Sequence, residues 1–184
     1  MSDATCPAAI LPLRFLGDPV LRSKASRVDA FDADLRTLAE SMVASMYAHH
    51  GIGLAAPQVG RPIRLIVVDT GEQRDGSEAF ALVNPEIVEQ EGAVTGEEGC
   101  LSIPGIVAEV ERSSRVRVRG STPAGEPLEI VATELLARVL QHEIDHLNGI
   151  LFVDRLGPMR RRMALREWRR RRTRDEPAAP AAGA

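Results

Sequence analysis

The stretch LQHEIDHLNG, residues 140–149, sets His142 and His146 four positions apart, with Glu143 directly after the first histidine. Four residues advance an α-helix by a little more than one turn, so both imidazoles fall on one face and can converge on a single cation. Glu143 lies about a quarter-turn away, displaced from joint ligation but well placed to touch a water held there. The plain alternative is a pair of unrelated histidines packed or capped in a core. Energy decides against it: two unpartnered imidazoles and a carboxylate on a buried helix cost on the order of several kcal/mol, which a bound cation removes. The pattern therefore predicts a metal site, and catalysis there needs a third protein ligand and one position open to water.

The residues alone leave that third ligand open. Downstream of the motif no histidine follows, and the acidic candidates are Asp154, Glu167, Asp175 and Glu176. Upstream, EEGCLSIPG (97–105) offers Cys100, between a glycine and a strand-like segment, although a lone cysteine is more often a small buried core residue. Cys6, in a Pro/Ala-rich arm, is expected to do nothing.

The elements that must position these groups follow from periodicity. Residues 32–48 place Leu35, Leu38, Met42 and Met46 on one helical face, with Asp32 as N-cap. Gly51 ends that helix and opens a glycine-rich loop, GIGLAAPQVG. RPIRLIVVD (61–69) reads as a buried strand, and FALVNPEIVEQEG, PGIVAEVERS, RVRVRG and PLEIVA as further short strands. From Thr133 the period becomes helical. Leu135, Leu136, Val139, Leu140, Ile144 and Leu147 surround much of the axis, Arg138 is the one clear solvent marker, and Asn148-Gly149 supplies the stop. A last helix covers about 158–173. The expected fold is α+β: short antiparallel or mixed strands around one central metal-binding helix, plus a first and a C-terminal helix. The expected organisation is a flexible arm (1–9), one catalytic domain (10–157), a basic helix (158–174) and a disordered tail (175–184).

Composition narrows the function classes. The 184-residue chain is 44% hydrophobic and 27% charged, the balance of a soluble domain with a sizeable core. Aromatics make up 3%, too few for a base-stacking surface, so no sequence-specific nucleic-acid binding is expected. No apolar run reaches the roughly 18 residues of a membrane span, and the N-terminus lacks the basic region of a secretory signal. With two cysteines, a reducing cytosol is the expected location.

Three segments in order resemble one family, the peptide deformylases. GIGLAAPQ (51–58), EGCLS (98–102) and HEIDH (142–146) are similar to its three motifs, and the flanking text agrees from GDPVLR (17–22) through NP (84–85) to LNGILFVDRL (147–156). The likeness covers roughly residues 10 to 160, with no substitution inside the motifs. It implies removal of the formyl group from the N-terminal formyl-methionine of newly made bacterial or organellar proteins. It implies Cys100, His142 and His146 as metal ligands and Glu143 as general acid/base. It implies an oxyanion hole from Gln58 and the Leu101 N–H. Ile52–Gly53 and Gly99–Leu101 would flank the substrate backbone, the glycines allowing close approach, and Leu135 and Val139 would line the methionine pocket. Ligand type alone suggests zinc; the resemblance points to ferrous iron, with nickel, cobalt or zinc able to occupy the site.

Glu98 and Asp145 read as supports of the ligand loops, with Arg112 as the candidate ion-pair partner of either. His49 and His50 are expected at the surface, outside the site. Residues 159–174 carry nine arginines against Glu167 alone, while the whole chain has a net charge of −3. That basic end on an acidic body suggests ribosome contact near the emerging nascent chain. A monomer in the bacterial cytoplasm is expected, with a trimmed organellar form as the alternative. Two competing functions are a zincin-like endopeptidase, opposed by the missing downstream ligand, and a non-catalytic peptide- or ribosome-binding relative, opposed by the intact Gln58, Cys100, Glu143 and histidines.

Overall fold

A computed structural model describes residues 8–73 and 76–175; most of the N-terminal arm, Cys6, and the tail from 176 lie outside the described residues. Helix α1 (Ala33–Ala48) starts where the Asp32 side chain accepts a hydrogen bond from the Leu35 N–H at 2.9 Å, satisfying one of the free amides of the first turn. Strands β1 (Gly53–Ala55), β2 (Leu65–Val68), β3 (Phe80–Glu91), β4 (Val94–Gly99), β5 (Val107–Arg112), β6 (Arg115–Ser121) and β7 (Pro127–Thr133) follow. Then come α2 (Glu134–Leu147) and α3 (Pro158–Asp175). Five strands form one sheet in the order β1-β2-β3-β6-β7, and β4 and β5 form a separate hairpin.

The class is α+β as expected, with differences in detail. Every ladder between the described strands is antiparallel rather than mixed. The strand β3 is 12 residues long, not short. Its length is broken by an irregularity at Asn84-Pro85, where Asn84 has φ 52° and its side chain clamps the Val28 backbone through two hydrogen bonds of 2.9 and 2.8 Å. GIGLAAPQVG is not a plain loop: Gly53–Ala55 pairs with β2, and Ala56–Val59 forms a 3₁₀ turn. The strand at Cys100 precedes the cysteine instead of following it, because β4 pairs along its whole length with β5 while residues 101–105 turn. Pairing partners distant in sequence override weak local preference in both places.

The sheet is covered on both faces. β2 alternates across it: Ile66 and Val68 join Leu82, Val118, Leu140 and Leu147 on the α2 side, while Leu65 and Val67 join Leu35, Met42 and Met46 on the α1 side. That is why LIVV is apolar throughout. A third cluster, with Leu21, Ile103, Phe152 and Trp168, ties the hairpin to α3. The helix α2 packs against β1, β2, β3, β6 and β7, and ten of its residues are buried. Among the described residues no helix is long and apolar enough to cross a membrane.

Candidate metal centre

Three elements meet at one point. Cys100 directly follows β4, Gln58 sits in the 3₁₀ turn after β1, and His142, Glu143 and His146 lie in the buried stretch of α2. One donor atom each from Cys100, His142 and His146 lies within 4.8 Å of the others. Cys100 Sγ is 3.2 Å from His146 Nε2, and the two imidazole centroids are 5.0 Å apart at 66°. Of the acidic downstream candidates for a third ligand, Asp154 and Glu167 do not join this group; Glu176 lies outside the described residues.

The orientation of each donor has a cause. His142 Nδ1 is 2.9 Å from Glu98 Oε2, which leaves Nε2 for the cluster, and the ring stacks near Phe152 at 6.2 Å. Glu98 is held by Arg112 through Nε at 2.8 Å and a terminal nitrogen at 2.9 Å. Arg112 also reaches Asp145 at 2.5 Å, so it bridges both expected partners at once. Arg155 adds a second grip on Asp145 at 2.5 and 2.8 Å. Gln58 Oε1 accepts from the Ala55 N–H at 2.8 Å. Its Nε2 therefore faces Cys100 Sγ at 3.6 Å and Ser102 Oγ at 3.2 Å. The N-terminal segment staples these loops, with Arg14 N–H donating to Gln58 O (2.7 Å) and Leu16 N–H to Ser102 O (2.9 Å).

Burial sets the electrostatics. It pushes the Glu143 carboxyl up to about 7, against the pull of His142. It also opposes ionisation of Glu98, yet hydrogen bonds from Arg112 and His142 win and bring that carboxyl down to about 2. Burial disfavours charge on both imidazoles. His142 nevertheless lies well above its ordinary value through Cys100 and Glu98, whereas His146, next to charged His142, lies well below. Glu143 Oε2 and His146 Nδ1 are buried with no hydrogen-bond partner among the described residues.

Cys100, His142 and Glu143 line a cleft of about 700 Å³. Ile52, Gly53, Gly99, Leu101, Leu135 and Val139 all line it. A Cβ on Gly53 would stand 2.5 Å from Glu143 Oε1 and 2.8 Å from Val139 Cγ1, so only glycine lets β1 run this close to the carboxyl. Leu135 is half exposed and sits at the mouth. Two expectations change here. His49 and His50 are exposed, yet they rim the cleft and belong to its surroundings. Arg138 is no solvent marker: its side chain is 12% exposed and donates to Glu98 Oε1 (2.9 Å) and to the carbonyls of Val94 (2.9 Å), Gly96 (3.3 Å) and Val110 (2.9 Å). Helical spacing marks a charged residue as outward; the carbonyls that capture it lie on a hairpin the sequence does not place beside α2.

An α+β scaffold that gathers one thiol, two imidazoles and a carboxyl beside a peptide-sized cleft defines a class, the small metal-dependent hydrolases of amides. The chain belongs to the polypeptide deformylase family, whose sequence profile matches residues 10–162. It is 46% identical to a peptide deformylase of Thermodesulfovibrio yellowstonii over 161 residues, 88% of this chain and 98% of that one. Against that of Halothermothrix orenii it is 52% identical over 147 residues, 80% of this chain and 94% of the relative. The crystal structure of a peptide deformylase from Legionella pneumophila superposes with a TM-score of 0.86 at 45% identity, covering 92% of this chain and all (100%) of the other. One from Synechococcus elongatus, in complex with actinonin, gives 0.82 at 44%, covering 89% of each chain.

Proposed function

We propose that this cleft removes the N-formyl group from the formyl-methionine that begins newly synthesised proteins, releasing formate, with α2 as the metal-binding helix. The observation that carries the reading is the convergence of Cys100, His142 and His146 beside the buried Glu143. The donor set suits a divalent ion. His142 is oriented through Nδ1, His146 presents Nε2 toward the sulfur, and a soft thiolate with two imidazoles matches zinc or ferrous iron. Family resemblance favours Fe(II), with Zn, Ni or Co as substitutes. Bound there, such an ion supplies Lewis acidity and lowers the pKa of water from 15.7 toward about 7.

The chain's own groups do the rest. Glu143, in an apolar setting, accepts the proton of the attacking water and returns it to the departing methionine nitrogen. The Gln58 amide, fixed by its bond to the Ala55 N–H, donates to the oxygen that becomes negative, and the Leu101 N–H donates beside it. The backbones of Ile52–Gly53 and Gly99 take the peptide as an added strand. Val139 lines the methionine pocket below, with Leu135 at its mouth. Glu98, Arg112 and Asp145 hold the ligands in register.

Anaerobically purified protein is expected to release formate from a formyl-Met peptide, to leave its acetylated analogue intact, and to contain about one divalent ion per chain by elemental analysis of the same sample. Cleavage of internal peptide bonds at a comparable rate would instead establish the zincin-like alternative.

For partners, the reading is a monomer in the bacterial cytoplasm whose basic helix touches the ribosome. Exposed arginines along α3 support that contact. Deleting the helix would also remove Trp168, which is buried against the hairpin, so charge reversal is the cleaner test. Arg162→Glu/Arg169→Glu should abolish co-sedimentation with ribosomes that in the parent falls steeply with salt. Unchanged sedimentation would exclude the contact.

A further inference from the structure

A second groove, of about 710 Å³, lies between β5 and α3. Gly105 lines both this groove and the catalytic cleft. Cys100, Leu101, Pro104 and Gly105 form one wall of the cleft, and the Arg171 guanidinium lies against Gly105, 2.5 Å from where a Cβ would stand, so a guanidinium borders the junction of cleft and groove. Its floor is apolar: Val107 is 60% exposed and Met163 65%. Its sides carry Arg160, Arg166, Arg170 and Arg171. Two carboxylates face these four guanidiniums. Glu167 is shared by Arg170 and Arg171, and Glu109 meets Arg160 at 3.4 Å. Arg166 has no hydrogen-bonding or ionic partner among the described residues.

We infer that this groove is a downstream subsite for the substrate's own polypeptide, which selects acidic side chains several residues after the methionine. The inference rests on the deformylase reading of the cleft. Adjacency of the groove to the cleft at Gly105 points to the substrate as occupant, and the surplus of guanidiniums sets the sign of what it accepts. The exposed Val107 and Met163 favour a peptide over a polyanionic nucleic acid, since apolar side chains gain from that floor and phosphates do not. The groove carries no aromatic side chain on which a base could stack.

The test compares formyl-Met-Ala-Ser with ten-residue formyl-Met peptides that carry Glu or Lys at single positions from 4 to 8. At low salt the Glu peptides should exceed the Lys peptides in kcat/KM by about three- to tenfold, the range expected for one or two exposed ion pairs, with the difference in KM. Arg166→Glu/Arg170→Glu should invert that order, and Arg166→Gln/Arg170→Gln should flatten it, each measured as the ratio of long-peptide to tripeptide kcat/KM. Equal rates for Glu and Lys peptides in the parent, or an order that survives both double variants, would overturn the subsite. So would an RNA oligonucleotide that competes with long peptides while Glu confers no advantage. Failure of the parent to deformylate even the tripeptide is a distinct result, sinking the reading of the cleft itself.

Discussion

At the residue scale, the site separates two kinds of polar work that one carboxyl and one amide perform. Glu143 is buried with one oxygen that has no hydrogen-bond partner among the described residues, whereas Gln58 has its oxygen tied to the Ala55 N–H and turns its N–H groups toward Ser102 and Cys100. Their variants should therefore differ in kind. Glu143→Gln should keep its metal content and lower kcat by about 10²- to 10⁴-fold, the usual worth of a positioned acid/base. Gln58→Leu should lower kcat by about 10²- to 10³-fold with a smaller change in KM, the signature of a lost oxyanion donor. Formate release and metal analysis on the same samples check both. An ion that leaves with the Glu143 carboxyl would make that residue a ligand instead.

At the element scale, the hairpin β4–β5 has no ladder to the main sheet, although it delivers Glu98, Cys100 and one side of the cleft. Beside the Arg112–Asp145 and His142–Glu98 contacts, Arg138 fastens it to α2 through three carbonyls on both its strands and through Glu98. Arg138 is thus a positioning residue. Arg138→Met leaves four acceptors without that donor and should cost about 2 kcal/mol of stability, as for hydrogen bonds from a charged group. Amide exchange at residues 94–99 should accelerate, and KM for formyl peptides should rise more than kcat falls. A variant that lost stability with no change in exchange there would make Arg138 an ordinary buried charge.

At the scale of the whole molecule, one aspartate joins distant parts of the chain. Asp154 pairs with Arg22 near the N-terminus and with Arg161 at 3.0 Å in α3, and it accepts the Leu151 N–H at 2.9 Å. Burial works to raise its pKa, but the Arg22 pair and the Leu151 bond lower it below the ordinary value. A depressed carboxyl stabilises the fold above its unfolded pKa of about 3.8 and loses that contribution as pH falls through the native value. Asp154→Asn should lower stability at pH 7 by about 1 kcal/mol or less, given partial exposure, with the gap closing below pH ~3.8. A gap independent of pH, read from denaturant curves, would assign the loss to packing.

Helix α2, the three motifs and most strands were legible because each depends on local period or on spacing within a few residues. HExxH states its geometry in five positions, and the apolar LIVV states that both faces of β2 are covered. Other features depend on contacts between residues 11 to 44 positions apart, for which no local signal exists. GIGLAA contains a strand because β2 offers it an edge. Arg138 turns inward because Val94 and Val110 present carbonyls to it, and Arg112 takes Glu98 and Asp145 together because the hairpin folds over α2. His49 and His50 are at the surface as expected, yet the fold brings them to the border of the cleft. The residue types thus determined what chemistry was available, and the packing of the hairpin against α2 decided which polar groups meet, since a side chain's partner is set by the backbone folded against it.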